Sequence, residues 1–512
     1  MNLKLPTLSL RKGVFWPIFG LFGITACIAM VNPSSFLEVI DALNQQMLHV
    51  IGPIFSLSAL LFLFVVIALY VSPVGKQVIG GASATPLFTK PQWFYVTICT
   101  TIATGILFWG ASEPIFHLHQ PPNGEGLEAG TPETAIFSLS TLFTHWSIIP
   151  YGIYTLVSVV FALKFYNEGN RFSLASLFGK TISENNYAGI IDSFALFSLV
   201  AGMSASLGAG LLLLNGGIDR FIPFAVNPKN LAILCIIVVF AFIISSVSGL
   251  RKGIRWLSNI NAKIFFVLAG FVLIFGSFEA LATLSFDAFA YSASNFFNQA
   301  LMGVLPGTDR TWANDWTIFY WTNWLAWTPI TALFLARIGV GYSVRTFIRF
   351  NLVYPSLFAI LWMIIFGGNA LLADLSGVNF PLNQILNSEG NGQLVFELIK
   401  DYPLAIPASI LFLIAVFISY VTAADSNTTA MSALSSNNIR PEKPEAHFIT
   451  KIAWGLLIGL ITWIMVAFSG EGATTGLDGI RILSNLGGLP ALIIAYAAVF
   501  QAIKWIVKRP VL

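Results

Sequence analysis

The sequence predicts an all-α transmembrane bundle of twelve helices, and three observations predict it. First, the 512 residues are 56% hydrophobic and 10% charged, with a mean hydropathy of +0.80, whereas charged residues make up about 25% of a soluble domain. Second, twelve apolar stretches reach the roughly 20 residues needed to cross a hydrocarbon core of about 30 Å. Third, Lys and Arg are segregated. Twenty lie at the N-terminus, in the even-numbered loops and at the C-terminus, five lie in the odd-numbered loops, and the twenty-sixth, Lys263, sits inside the seventh span. Under the positive-inside rule that bias places both termini in the cytoplasm.

In order, the spans fall near residues 14–31, 50–72, 92–113, 136–164, 187–215, 228–248, 259–282, 317–340, 351–374, 404–437, 449–469 and 486–508. The first follows Lys4, Arg11 and Lys12, as a signal peptide would. Its apolar run exceeds the roughly 7 to 15 residues of such a segment and no clear cleavage site follows, so it is read as a retained helix. With the first two spans set aside, the third and eighth, fifth and tenth, and seventh and twelfth begin at offsets of about 215 to 230 residues. Five spans per set is odd, so the second set crosses the membrane upside down relative to the first. This is the five-plus-five inverted-repeat plan of many secondary transporters. The expected divisions are therefore 1–91 (N-terminal tail and helices 1 and 2), 92–282 (first five-helix repeat), 283–316 (periplasmic connecting segment) and 317–512 (second repeat and short C-terminal tail).

That plan predicts that the first helix of each repeat is broken, so that unwound backbone meets a ligand at mid-membrane. The third span, "TICTTIATGILFWGASEP", carries Gly105, Gly110 and Pro114, and the eighth, "YWTNWLAWTPITALF", carries Pro329. The eighth span also holds four of the fourteen tryptophans. Trp316 at its outer boundary is explained by an interfacial aromatic belt. Trp321, Trp324 and Trp327 recur at i, i+3 and i+6 as one drifting stripe, and Trp327 lies roughly 16 Å deeper than Trp316. A buried indole N–H needs a partner, and 45 phenylalanines are available for plain packing, so tryptophan here points to a use for the π face. The fourth span adds Trp146, Tyr151 and Tyr154 in "THWSIIPYGIYTLV", with Pro150 expected to kink the helix. An electron-rich cage of Trp and Tyr suits a quaternary ammonium, which donates no hydrogen bonds and is held by cation–π attraction. Ordinary interhelical aromatic packing is the alternative.

Cys27, Cys99 and Cys235 lie in apolar runs without metal-ligand spacing, which argues against a disulfide framework or a zinc site. The net charge of +3 is scattered among short loops, so no nucleic-acid partner is expected. A membrane-embedded enzyme would need a nucleophile with a base or a metal cluster. Among the five histidines only His117 and His119, in "EPIFHLH", offer a metal candidate. A channel would show a filter or charged rings. Glu113 and Asp425 are read as groups tying down helix ends, with direct ion coupling as the alternative.

Four motifs in order carry a family resemblance: "FWGASEP" in the third span, "HWSIIPYGIY" in the fourth, "DWTIFYWTNWLAWTP" followed by "FLARIGVGYSVRTFIRF" in the eighth, and "VTAADSNTT" in the tenth. The chain resembles the betaine/choline/carnitine transporters over nearly its whole length. The resemblance implies a trimeric carrier with the LeuT-like inverted repeat, moving a trimethylammonium compound across the bilayer by alternating access. Its aromatic box maps onto Trp146, Tyr151, Tyr154 and Trp324, with Trp321 and Trp327 lining the same pathway. Tyr151 and Asn323 stand where the family has Trp. A substrate carboxylate is expected to meet backbone N–H groups near Gly105, or the Thr101 hydroxyl.

No cofactor is expected, although Na⁺ is a candidate coupling ion. The span-three glycine run lacks the aspartate of proton-coupled members. In the tenth span Thr422 is a candidate sodium ligand, but Ala423 replaces a hydroxyl, and Leu199 and Met203 occupy the second sodium position. These losses favour sodium-independent exchange, with Lys263 as the candidate cation substitute; its place a turn or so into the seventh span equally suits snorkelling to the headgroups. Sodium symport of the same substrate class is the alternative. The short tail "KWIVKRPVL" predicts no osmotic activation.

Overall fold

A computed structural model of the protein describes residues 9–101, 103–185, 187–248, 253–377, 381–437, 439, 446–468 and 476–508. Among them it is all-helical, the extended pairings being isolated bridges, Leu10 with Ser436 and Val78 with Ser343. The principal helices are α1 (Lys12–Val31), α2 (Pro33–Val71), α3 (Lys90–Thr101), α4 (Ala103–His119), α5 (Pro132–Trp146), α6 (Ile148–Ala162), α7 (Tyr187–Asp219), α8 (Pro228–Ser248), α9 (Gly253–Phe275), α10 (Phe278–Ser294), α11 (Phe319–Ile338), α12 (Val344–Ser376, with two π-turns), α13 (Ala405–Leu434), α14 (Phe448–Ala467) and α15 (Leu477–Val507). Each predicted apolar stretch coincides with one of these helices or a consecutive pair.

Among the described residues, ten helices are long and apolar enough to cross a membrane, or eleven if the bent pair α3–α4 counts as one span. The expected twelfth, α11, does not meet that criterion. Its 20 residues suffice in length, but its composition is diluted by tryptophans, threonines, Asn323 and Pro329. Every residue of α11 except Asn323 and Arg337 is buried. A helix enclosed by protein needs no lipid-facing apolar stripe, which is why hydropathy understates it.

Close helix approach around α11 rests on small residues, as packing between helices in lipid requires. A Cβ added to Gly488 of α15 would stand 2.8 Å from the Thr322 backbone, and one on Gly487 would stand 2.9 Å from the Ala201 side chain of α7. Gly202 of α7 likewise admits the Trp327 ring, 3.0 Å from an added Cβ.

The two expected helix breaks fare differently. The segments Lys90–Thr101 and Gly105–His119 meet at 57°, as predicted for the third span. The eighth span is not broken at Pro329, because α11 runs straight through it and the Thr328 hydroxyl donates to the Trp324 carbonyl at 2.7 Å in the turn that proline weakens. An unpredicted π-turn, Asn314–Ile318, precedes α11 instead.

Loop contacts sort the chain ends into two faces. Arg11 donates to the Leu434 carbonyl and pairs with Asp192. Asn167 bonds Val78 and Gly80, and Arg345 bonds the Tyr70 carbonyl. On the opposite face Arg310 bonds the His49 carbonyl and Asn123 bonds Asp309. Even-numbered loops thus meet even, and odd meet odd, as the Lys/Arg bias predicts.

Lys263 requires a correction. It is exposed on the outer face of α9, while its neighbours Ala262, Ile264 and Phe265 are buried. A cation on the outward face cannot replace a coupling ion inside the bundle, and the side chain is placed to snorkel.

Candidate functional site

The break in the fourth span shapes the site. Pro150 offers no N–H to the Trp146 carbonyl one turn earlier and its ring crowds that carbonyl, and the chain departs from helix at Ser147, with φ −119° and ψ −122°. Trp146 and Tyr151, five positions apart, would point roughly 140° apart on an unbroken helix. With the break, both reach the same ring.

That ring is Trp324. Its centroid lies 5.8 Å from Trp146, 5.2 Å from Tyr151 and 4.9 Å from Tyr154, at interplanar angles of 59° to 75°. All four residues are buried, and among the described residues the indole N–H of Trp324 has no hydrogen-bond partner. Gly105 closes the other side, since a Cβ there would stand 2.9 Å from Cη2 of Trp146. The Thr101 hydroxyl donates to the Thr97 carbonyl at 2.8 Å and stands beside the Tyr151 phenol. The predicted box residues are therefore brought together, with Gly105 and Thr101 at its edge.

Other predicted residues lie elsewhere. Steps of three residues rotate by about −60° on an α-helix, so the outer members of the stripe address different neighbours. Trp321 faces His145, with centroids 6.0 Å apart, and Trp327 packs on Gly202 of α7. The side-chain oxygen of Asn323 accepts from Ser484 of α15 at 3.0 Å. The stripe is thus not a single wall, and of its three indoles Trp324 alone contacts the Trp146, Tyr151 and Tyr154 rings. Trp316 is not a lipid-facing belt residue either. It is buried against His117 at 4.6 Å and Trp109 at 5.8 Å, with the Arg481 guanidinium 4.8 Å over its ring.

The sequence reading missed a hub beside the box. The buried Glu113 carboxylate is met by Trp146 Nε1 at 2.7 Å and the Tyr320 hydroxyl on Oε2, and by His145 Nδ1 at 2.7 Å and His117 Nε2 at 3.2 Å on Oε1. Four partners fill the four lone-pair sites of an ionised carboxylate, which accepts only, so all four donate. His145 then carries its proton on Nδ1, and its Nε2 accepts from Thr317 at 3.1 Å. Tyr320 also stacks on His145 at 4.5 Å and meets Trp146 edge-on at 5.3 Å. Its position one turn before Trp324 was the available signal.

Glu113, His117 and His145 place their ligand atoms within 4.8 Å of one another, the donor set of a transition-metal site. Those same atoms are engaged in hydrogen bonds among themselves. His119 takes no part, because it pairs with Asp374 at 2.6 Å. Thr422 is buried and donates to the Ile418 and Ser419 carbonyls of its own helix, each at 3.0 Å, and Leu199 and Met203 are buried apolar side chains. On the odd-loop face, a cavity of about 450 Å³ is lined by Glu38, Asp41, Asp315 and Asp478 with Arg481, a net acidic vestibule.

The chain is similar to known proteins over most of its length. The chain is 28% identical over 488 residues to the ectoine/hydroxyectoine transporter of Virgibacillus pantothenticus, covering 95% of this chain and 94% of the relative. It is 28% identical to the glycine betaine transporter OpuD of Bacillus subtilis, with 96% and 94% covered. With the betaine/ectoine transporter LcoP of Corynebacterium glutamicum it shares 30% identity, covering 90% of this chain and 74% of the relative. The structure of MhsT in complex with L-phenylalanine superposes with a TM-score of 0.49 at 14% identity, covering 79% of this chain and 88% of that one. The family model described as BCCT, betaine/carnitine/choline family transporter, matches residues 13–510, and the chain belongs to that family.

Proposed function

We propose that the protein is a secondary transporter whose cargo is a trimethylammonium compound such as betaine, carnitine or choline, held by Trp146, Tyr151, Tyr154 and Trp324 and moved by alternating access. The convergence of three rings on the buried face of Trp324 carries this reading. A methylated ammonium gains from several desolvated π faces at once, whereas a purely apolar filler would pack there without an orphaned N–H. Relatives named for glycine betaine support the substrate class. Trp146, Tyr151 and Tyr154 each meet Trp324, so the ion enters as Trp324 parts from the tyrosines.

The first N–H groups of α4 have no partner within their helix and are suited to a substrate carboxylate. Gly105, having no side chain, lets the Trp146 ring seat against α4 beside those groups. Gly105→Ala is expected to displace the Trp146 ring and to weaken betaine binding by about tenfold, with choline, which has no carboxylate, affected less. Titration of the purified protein by tryptophan fluorescence checks both. Equal affinity to wild type would remove Gly105 from the site.

Sodium-independent exchange remains the coupling we favour, because Leu199, Met203 and Ala423 offer no side-chain oxygen to a hard cation. Lys263 plays no part in it. Sodium symport through Thr422 and backbone carbonyls is the second reading. In proteoliposomes, counterflow is expected to persist in sodium-free medium, and its collapse would favour symport. A trimeric assembly in an inner membrane with both termini cytoplasmic completes the proposal.

A further inference from the structure

We propose that the buried Glu113 carboxylate is the counter-charge of the aromatic box, acting on a bound onium ion through the Trp146 indole. The inference rests on the reading of the box as an onium site. Trp146 spans the two: its Nε1 donates to Glu113 Oε2 at 2.7 Å, while its ring meets Trp324 at 5.8 Å and its far edge lies on Gly105. The carboxylate and the box thus share one side chain.

Two effects favour a cation there. A hydrogen bond from an indole N–H to an anion is charge-assisted. It pushes electron density into the ring and deepens the negative face that holds an onium ion. The carboxylate also acts directly, because a charge kept from water is weakly screened across a single ring. The surroundings leave that charge in place. His145 and His117 each spend an N–H on Oε1, Tyr320 donates its hydroxyl to Oε2, and His145 Nε2 is engaged with Thr317. The Arg481 guanidinium stands beyond Trp316, which packs on His117. No Lys or Arg is hydrogen-bonded to Glu113 among the described residues, so its charge is free to be matched by the cargo. Glu113 is thereby a positioning and charge-matching residue, one ring removed from the ligand.

The test compares choline with its neutral carbon isostere, dimethylbutanol, on purified full-length protein by fluorescence titration. The ratio of the two affinities reports charge recognition and cancels packing. Glu113→Gln keeps shape and removes charge, and is expected to lower the choline preference by about tenfold while the isostere is unchanged. Glu113→Asp restores most of the preference. Tyr320→Phe removes one donor and leaves the charge less compensated, so the preference is expected to rise. An unchanged ratio in Glu113→Gln overturns the inference. Should that variant not fold, equal losses for both ligands in Tyr320→Phe overturn it, since a purely architectural network would lose them together. Trp324→Leu separates the two claims. If it leaves choline binding intact, the box reading fails. If it abolishes binding while Glu113→Gln leaves the ratio alone, only the counter-charge fails.

Discussion

Replacing Trp324 with leucine is expected to weaken binding of a trimethylammonium compound by about 30-fold or more. One well-desolvated ring contributes on the order of 2 kcal/mol to a cation–π contact, and about 1.4 kcal/mol is a tenfold change in affinity. The loss is larger than for any other box residue because Trp146, Tyr151 and Tyr154 all touch this indole, so its removal also releases the rings it orders. Trp324→Phe retains a π face of smaller area and is expected to recover part of the affinity. Thermal-shift measurements with choline and betaine on the purified variants check both. Full stabilisation of the leucine variant by either ligand would sink the assignment of this ring to the site.

The second large effect concerns folding. Gly488→Val is expected to destabilise the bundle by about 3 kcal/mol or more and to lower the yield of assembled protein sharply. A Cβ at this position stands 2.8 Å from Cα, Cβ and the carbonyl oxygen of Thr322, and two of those are backbone atoms of α11, which cannot rotate away. Overpacking that forces side chains or backbone to shift typically costs about 1–3 kcal/mol and occasionally more, and Val adds three carbons where even one does not fit. The displaced helix is the one carrying Trp324. Gly270 of α9, with nothing within 4 Å of an added Cβ, provides the control: Gly270→Val is expected to assemble normally. Size-exclusion profiles and melting curves in detergent compare them.

The resemblance located the four box residues, and the structure brought them together, yet it separated Trp321, Trp327 and Asn323 from them. The i, i+3, i+6 spacing was read as one stripe, but a drift of about 60° per step turns neighbouring indoles toward different helices. Lys263 failed for a similar reason: the resemblance fixed its place in the chain but not its side of the helix. Hydropathy likewise found the spans but not α10, most of which lies in the expected connecting segment, and it understates α11, whose polar side chains are tolerable because protein rather than lipid surrounds them.

What the sequence by itself determined was the membrane-spanning character, the positions of the apolar spans and the division of loops into two faces. Those follow from hydropathy, proline and glycine placement, and lysine and arginine counts, all of which are local properties of the chain. Only the tertiary structure decided which rings meet and what stands behind them. Glu113 takes its partners from 4, 32, 33 and 207 residues away. A lone carboxylate in "FWGASEP" carries no mark of those partners, because the hydrogen bonds that satisfy a buried charge are set by how helices pack.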